Sequence, residues 1–124
     1  MCLYDHYLEN LKILNYNPVG LGNGNFRKEW LRDSEGNNIS NKNKYYGEYT
    51  FHYWFWKNEL KNISENDWIG FCAYRRFWLN KKNENLKNLN FKDKVLRQIP
   101  ELWNDYQVIL GNKIEVNNIK LIKI

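Results

Sequence analysis

Hydrophobic side chains recur at helical spacing near the start of the chain, within residues 3–14. The apolar stripe of this segment consists of Leu3, Tyr7, Leu8, Leu11 and Leu14. A stripe with this period is typical of an amphipathic helix. Three polar or aromatic residues and then Pro18 follow, and the residue before a proline avoids the helical backbone region. We therefore predict a helix over residues 3–14 that ends before Pro18.

Residues 45–56, which read Y-Y-G-E-Y-T-F-H-Y-W-F-W, are the most aromatic part of the chain. Strict alternation fits this run poorly because four of its aromatic residues stand in a row, although aromatic side chains also favour strands. Helical spacing collects most of the rings on two adjacent faces. We predict a helix over residues 44–58 that is buried nearly all round.

Residues 67–74 (D-W-I-G-F-C-A-Y) form a short apolar run behind a polar loop, which is typical of a buried central strand. Helical spacing returns within residues 91–106, where Pro100 forces a kink or a restart. Further short strands are predicted at residues 107–110, 114–116 and 119–124. This succession of helices and strands predicts an α/β fold. We expect the strand around residues 69–73 to lead the sheet, with the aromatic helix packed on it.

Two polar segments separate these elements. Three glycines lie within residues 18–25 (P-V-G-L-G-N-G-N), which predicts a loop that is flexible or closely approached by other atoms. The spacing lacks the full G-x-G-x-x-G pattern followed by a helix, so it is a weak dinucleotide-binding signal. Residues 33–44 are a loop by composition, and Ser40 and Asn43 are candidate caps for the helix that follows.

Composition narrows the class of protein. The 124 residues, of which 43% are hydrophobic and 27% charged, are typical of one globular domain. The aromatic content of 17% suits either a heavily packed core or a surface that stacks sugars or bases. The net charge of +5 does not point to nucleic acid, because only five of the 19 basic residues are arginine and the lysines are scattered among asparagines. RNA binding ranks third among the functions considered, since no aromatic strand motif for RNA is present.

The cysteines and the apolar runs indicate the compartment. Cys2 and Cys72 have neither zinc-ligand nor disulfide-framework spacing. No basic and then apolar leader opens the chain, and no apolar stretch approaches the ~18 residues of a membrane span. We therefore expect a reduced, cytoplasmic protein without an integral membrane segment. The alternating strand over residues 119–124 predicts self-association through an unpaired C-terminal strand edge.

The predicted central strand ends in Tyr74, Arg75 and Arg76. In open α/β sheets, ligands bind at the carboxyl edge of the strands. Paired guanidinium groups match the oxygens of a diphosphate or a carboxylate. The alternative interpretation is a surface pair bonded to Glu48 or Asp67, and spacing alone slightly favours it.

A second polar constellation is N-N-I-S-N-K-N at residues 37–43. Short polar side chains before a helix supply amide donors, and the helix N-terminus suits an anionic ligand. A capped loop without a ligand explains the same pattern equally well. Glu48, on an otherwise aromatic segment, is either paired with a basic residue or placed to bind a hydroxyl. His52 is more typical of a satisfied core residue than of a ligand.

Four ordered blocks between Pro18 and Trp78 strengthen the functional interpretation when they are taken together. The blocks are PVGLG at 18–22, EWLRDSEGNNISNKN at 29–43, YGEYTFHYWFWKN at 46–58 and IGFCAYRR at 69–76. They resemble a bacterial family of proposed glycosyltransferases, found among capsular and exopolysaccharide biosynthesis proteins and long labelled a domain of unknown function. The resemblance covers about half of the chain. Two positions depart from the family pattern, because Asn37 stands where many members have Asp and Ala73 where many have His.

The resemblance implies a partial Rossmann-like α/β sandwich like the glycosyltransferase A type, which binds a nucleotide-sugar donor and a saccharide acceptor. Sugar would be transferred from the nucleotide diphosphate to a growing polysaccharide. Arg75 and Arg76, preceded by Tyr74, would offset the charge of the leaving group. The remaining implied substrate-binding residues are Asn38, Ser40, Lys42, Asn43 and Glu48. No catalytic base is assigned.

The resemblance also bears on metals and completeness. No Asp-x-Asp metal motif is present, and Asp33 with Glu35 is an unconvincing substitute, so no metal site or cofactor is assigned and a divalent metal stays open. Family members are longer at both ends, and we therefore expect residues 1–124 to be a single α/β domain that is a fragment of a larger one, inactive or weak alone. The alternative function is a non-catalytic carbohydrate- or nucleotide-binding scaffold fragment.

Overall fold

The computed structural model describes residues 11–73, 76–80 and 90–112. Residues 11–14 are helical, and the helix buries Leu11 and Leu14. Its end is fixed by two backbone bonds, from Tyr16 N–H to the Leu11 carbonyl (2.9 Å) and from Asn15 N–H to the Lys12 carbonyl (3.1 Å). Asn15 has φ 58°, so it takes the left-handed position that closes such a helix end. The predicted end before Pro18 is confirmed, whereas residues 3–10 lie outside the described residues.

A small parallel sheet follows. Strand β1 (Val19–Gly20) pairs with strand β2 (Leu31–Arg32), with Val19 opposite Leu31. Strands of two residues are too short to produce a readable period, so the sequence pattern predicted neither of them. Together with the helices, this sheet makes the described part of the chain a mixed α and β structure.

The predicted aromatic helix forms, but in two pieces. A short helix at Asn43–Tyr46 is followed by a longer one at Tyr49–Asn58, which we call the aromatic helix. Gly47 separates them with φ 55° and ψ −129°, a conformation that essentially only glycine adopts. The sequence pattern identified the type of structure correctly and overlooked the break.

Burial of the aromatic helix is confined to one face. Thr50, Phe51 and Trp54 are buried, whereas Tyr49 is 65% and Trp56 is 56% exposed. The prediction that the helix is buried nearly all round is therefore wrong. Within the described ranges the helix packs on the loop that precedes it and on Phe71, so its other face lies towards solvent.

The predicted central strand is also wrong. Residues 67–72 form no strand, Gly70 and Cys72 are exposed, and a single antiparallel bridge joins Ala73 to Arg76. The apolar run packs by ring contacts instead of a strand ladder. The Phe71 ring lies 5.4 Å from that of Phe55, measured between ring centroids. Apolar composition alone could not distinguish ring packing from strand pairing.

The helix predicted within residues 91–106 is mostly absent. Helix Phe91–Lys94 is followed by Val95, which is 2% exposed and bridges antiparallel to Leu79. The Leu96 amide donates to the Trp78 carbonyl at 2.8 Å. Because these peptide groups are satisfied by pairing, the helix does not continue, and a 3₁₀ turn resumes only after Pro100, at Glu101–Trp103.

Three strands were predicted after residue 106, and only the first of them lies within the described residues. Residues 107–110 are irregular and largely exposed, so the strand predicted there is wrong, since nothing in the described ranges pairs with it. The strands predicted at 114–116 and 119–124, and the self-association that depends on the last of them, lie outside the described residues. None of the described helices has the length and apolar character needed to cross a bilayer.

Candidate functional site

The carboxyl ends of β1 and β2 meet at one edge of the sheet because the strands are parallel. The glycine loop (residues 21–24) leaves β1 at this edge. Asp33 leaves β2 at the same edge and opens the polar loop (residues 33–42), which leads into the short helix and the aromatic helix. The edge therefore collects the glycine loop and the polar loop, of which the polar loop contains the candidate ligand contacts of residues 37–43.

Asp33 lies at the centre of this edge. Its side chain is fully buried, and its Oδ1 accepts a hydrogen bond from the Gly22 amide at 2.7 Å. Its Oδ2 accepts a hydrogen bond from the hydroxyl of Thr50, which is equally buried. A buried carboxylate needs such partners because desolvation without them is costly.

Asn43 extends these contacts into the start of the helices. Its side-chain amide donates to the Thr50 hydroxyl oxygen at 3.0 Å and to the Gly47 carbonyl at 2.7 Å. Gly22, with φ 63°, approaches so closely that a Cβ there would lie 3.2 Å from the Asn43 side chain. Gly22, Asp33, Asn43 and Thr50 form one connected set, which we call the Asp33 network. The expectation of a closely approached glycine loop is confirmed here.

The polar loop is tied to the aromatic helix by a second set of bonds. The Asn58 side chain accepts from the Asn37 amide and donates to the Asn37 carbonyl, both at 3.0 Å. The Trp54 indole N–H donates to the Glu35 carbonyl at 2.8 Å. These contacts hold the backbone of an otherwise irregular segment against the helix.

Asn38 and Ser40 are occupied within the loop itself. Asn38 Nδ2 donates to the carbonyls of Ser34 (3.1 Å) and Gly36 (3.0 Å), and Asn38 Oδ1 accepts from the Ser40 hydroxyl at 2.9 Å. Neither Ser40 nor Asn43 makes the predicted N-cap bond, because the N-cap positions fall on other residues. The predicted loop is confirmed over residues 33–39, whereas a 3₁₀ helix at Ser40–Lys42 and the short helix occupy the rest of it, and the capping assignment is wrong.

The other predicted site residues are not brought into this network. Lys42 precedes Asn43 in the chain and Glu48 follows Gly47, and both are exposed. Arg76, which follows the apolar run in the chain, is also exposed. Tyr74 and Arg75 lie outside the described residues. His52 is half-buried, with its ring 4.5 Å from that of Phe71 between centroids, which agrees with its interpretation as a packed residue.

Arg32 braces the glycine loop from the other side. Its Nη2 donates to the carbonyls of Gly22 and Gly24, both at 3.1 Å. The guanidinium carbon lies 4.8 Å from the centroid of the Phe26 ring, within cation–π range. Asp33 accepts a hydrogen bond from an amide of the glycine loop, and Arg32 donates to two of the loop's carbonyls. The loop is therefore held by both side chains.

The described part of the chain has no group of side chains that could bind a metal ion. Asp33 is buried and spends both oxygens on protein donors, whereas Glu35 is exposed. Across the described ranges, no group of three or more His, Cys, Asp or Glu side chains could hold an ion.

Sequence reasoning missed Thr50 and Asn58, and it treated Asp33 only as half of a poor metal pair. Two features of the sequence pointed to Asp33 and Thr50. Asp33 directly follows strand β2, which ends at Arg32, so it falls where a strand ends. Thr50 is a small polar residue inside an aromatic run and shares a helix face with Trp54, four positions later, which is the face that is buried.

The fold and the site define a small mixed α and β domain in which two edge loops are ordered by a shared buried network and by the aromatic helix. Residues 5–123 match the family model described as Domain of unknown function (DUF4422), and the chain belongs to that family. No curated protein and no solved structure matched the chain.

Proposed function

We propose that the chain is part of a glycosyltransferase that moves a sugar from a nucleotide-diphosphate donor to a cell-surface saccharide. The observation that carries the proposal is the parallel pairing of β1 with β2, which brings the glycine loop and the polar loop to one carboxyl edge. The four sequence blocks that resemble proposed glycosyltransferases include the polar loop and the first two residues of the glycine loop. The same blocks contain the Arg75–Arg76 pair.

The roles of the polar residues divide according to their contacts. Asn38, Ser40 and Asn43 order the loop, because their polar atoms already bond to protein groups. Lys42, at the end of this loop, and Glu48, after the short helix, are exposed and would contact the ligand. A cation suits a phosphate oxygen, and a carboxylate suits a sugar hydroxyl.

The arginine pair would serve the departing diphosphate. Arg76 is exposed, so its guanidinium can reach an anion in solvent. Fixed donors aimed at a developing negative charge are a large source of rate acceleration, and a metal ion often supplies this charge instead. No residue is assigned as the base that activates the acceptor.

Replacement of either arginine by lysine tests this proposal. Arg75→Lys and Arg76→Lys keep the charge and lose the planar fork, so we expect nucleotide-sugar affinity to fall roughly 10- to 100-fold, the value of about 1.5–3 kcal/mol for a charge-assisted hydrogen bond. Arg97→Lys, at an exposed position outside the four blocks, is the matched control. Calorimetric titration with UDP-, GDP- and dTDP-sugars gives the affinities. Unchanged affinity in both variants would return the pair to a surface role.

The alternative, a non-catalytic saccharide-binding module, is favoured by the exposed rings of the aromatic helix. Tyr49 and Trp56 are 65% and 56% exposed, and flat exposed rings are suited to stacking. In that case Trp56→Leu, which keeps an apolar side chain and removes the flat face, would abolish oligosaccharide binding, whereas Arg76→Lys would leave it unchanged. Ligand-observed NMR with both variants distinguishes the two functions.

A further inference from the structure

We propose that Asp33 is a positioning residue that makes the glycine loop and the segment around Glu48 act as one unit in the donor site. The inference rests on the proposed function. Asp33 is fully buried, so its carboxylate is out of reach of a ligand at the surface and acts through the residues that it holds.

The two carboxylate oxygens bond to different parts of the chain. Oδ1 accepts from Gly22, in the loop after β1, and Oδ2 accepts from Thr50, in the first turn of the aromatic helix. Both donors are uncharged groups. The carboxylate therefore fixes the separation of two segments that share no backbone hydrogen bond with each other among the described residues.

The Thr50 hydroxyl links Asp33 to Asn43 and Gly47. The Thr50 hydroxyl has one proton and two acceptors in range, Asp33 Oδ2 and the Gly47 carbonyl at 3.0 Å. A hydrogen bond to a charged acceptor is the stronger one, so the proton lies towards Asp33. The Gly47 carbonyl is still satisfied, because it accepts the Asn43 side-chain amide at 2.7 Å.

A continuous path of hydrogen bonds thus runs from Gly22 through Asp33, Thr50 and Asn43 to Gly47. Glu48, the residue proposed to bind a sugar hydroxyl, follows Gly47 directly in the chain. A displacement of the glycine loop is therefore transmitted to the backbone that carries Glu48. The network couples the glycine loop, at the carboxyl edge of the sheet, to the residue proposed to bind the sugar.

Thr50→Val and Thr50→Ser test the coupling as a matched pair. Valine keeps the shape of threonine and lacks the hydroxyl, whereas serine keeps the hydroxyl. Amide hydrogen exchange of Gly22, followed by NMR without ligand, reports the network directly. Titration with UDP-, GDP- and dTDP-sugars, at a temperature where thermal melts show each variant fully folded, reports the donor site.

We expect Thr50→Val to speed Gly22 exchange about tenfold or more and to weaken nucleotide-sugar affinity severalfold, and Thr50→Ser to restore both. Faster exchange with unchanged affinity would reduce Asp33 to a structural role and overturn the proposal. Unchanged exchange in Thr50→Val would overturn the coupling while leaving the proposed function intact. A wild-type chain that binds no nucleotide-sugar would refute the proposed function, and the positioning role would fall with it.

Discussion

At the scale of single residues, Asp33 illustrates how surroundings decide the role of a side chain. In the sequence it stands two positions before Glu35, as one half of a doubtful metal pair. In the fold it is fully buried with both oxygens bonded, while Glu35 is exposed and contributes a backbone carbonyl. The roles of Asp33 and Glu35 differ because one is buried and the other exposed, and the local sequence does not reveal this difference.

Two substitutions of Asp33 have different expected costs. Asp33→Ala leaves the Gly22 amide and the Thr50 hydroxyl without this partner, and we expect the free energy of unfolding to fall by about 2–4 kcal/mol. Asp33→Asn should cost less, because its amide oxygen can accept from Gly22 and its NH₂ can donate to Thr50, whose proton then turns to Gly47. Urea unfolding of both variants measures the difference. Equal losses in the two variants would contradict this account of the network.

Tyr16 gives a pH dependence. Its hydroxyl donates to the Leu96 carbonyl at 2.6 Å, and burial, followed by the nearby Cys72, raises the pKa of the phenol above its usual value. The stabilisation is therefore complete below about pH 10, the unfolded pKa, and is lost as the pH rises through the folded pKa. Tyr16→Phe removes the titrating group. We expect the difference in melting temperature between wild type and Tyr16→Phe to shrink above about pH 10, and a constant difference would contradict the assignment.

At the scale of elements, two of the three predicted helices lie where helical spacing placed them, whereas the strands predicted within the described residues do not form. The helix that ends at residue 14 and the aromatic helix were predicted because their spacing is a property of the local sequence. The strand predicted around residues 69–73 failed because a strand needs a neighbour to pair with, and an apolar run does not reveal whether it has one. The short pair β1 and β2 was missed for the converse reason, since its stability comes from pairing and from the loops around it.

Gly47 is expected to tolerate a side chain poorly because of its backbone conformation. A Cβ at Gly47 meets no atom within 4 Å, so the cost of Gly47→Ala is backbone strain alone. We expect a loss of roughly 1–3 kcal/mol in the free energy of unfolding. Gly70→Ala is a matched control, because its Cβ also meets nothing within 4 Å and its φ lies outside the left-handed region. Equal stability of the two variants in chemical denaturation would show that the break at Gly47 imposes no strain.

Asn58 is expected to hold the polar loop on the aromatic helix. Asn58→Ala removes its bonds to the Asn37 amide and carbonyl and should lower the free energy of unfolding by about 1–2 kcal/mol. The exposed Asn62→Ala is the control. Hydrogen exchange of the Asn37 amide should rise in Asn58→Ala and not in Asn62→Ala. An unchanged rate in both variants would mean that the loop is held by other contacts.

At the scale of the whole molecule, the candidate site was half visible in the sequence. The motif residues of the polar loop were found because their order resembles a family pattern, but their bonds were not, since Asn38 and Asn43 could equally have faced a ligand. The structure assigns them to ordering the loop and leaves Lys42 and Glu48 exposed. Membership of the DUF4422 family leaves the reaction to experiment.

Catalysis by the chain alone is a separate prediction. A glycosyltransferase must hold donor and acceptor in attack geometry, and such positioning lowers the barrier by roughly 7–11 kcal/mol. The candidate site provides contacts for a donor and no assigned base to activate an acceptor, so we expect donor binding with weak or no turnover. An assay for nucleotide released from UDP-, GDP- and dTDP-sugars checks this. Turnover of about 1 per second or faster, an ordinary enzymatic rate, would contradict it.

The central claim is that a nucleotide-sugar binds at the carboxyl edge of β1 and β2. The most direct measurement is a two-dimensional NMR titration of the wild-type chain with the same donor panel, with backbone amides assigned. We predict that one donor shifts the amides of the glycine loop, the polar loop and residues 47–48 together in a saturable manner, while those of residues 101–112 stay in place. Absence of shifts with every donor, or saturable shifts confined to residues 101–112, would contradict the claim.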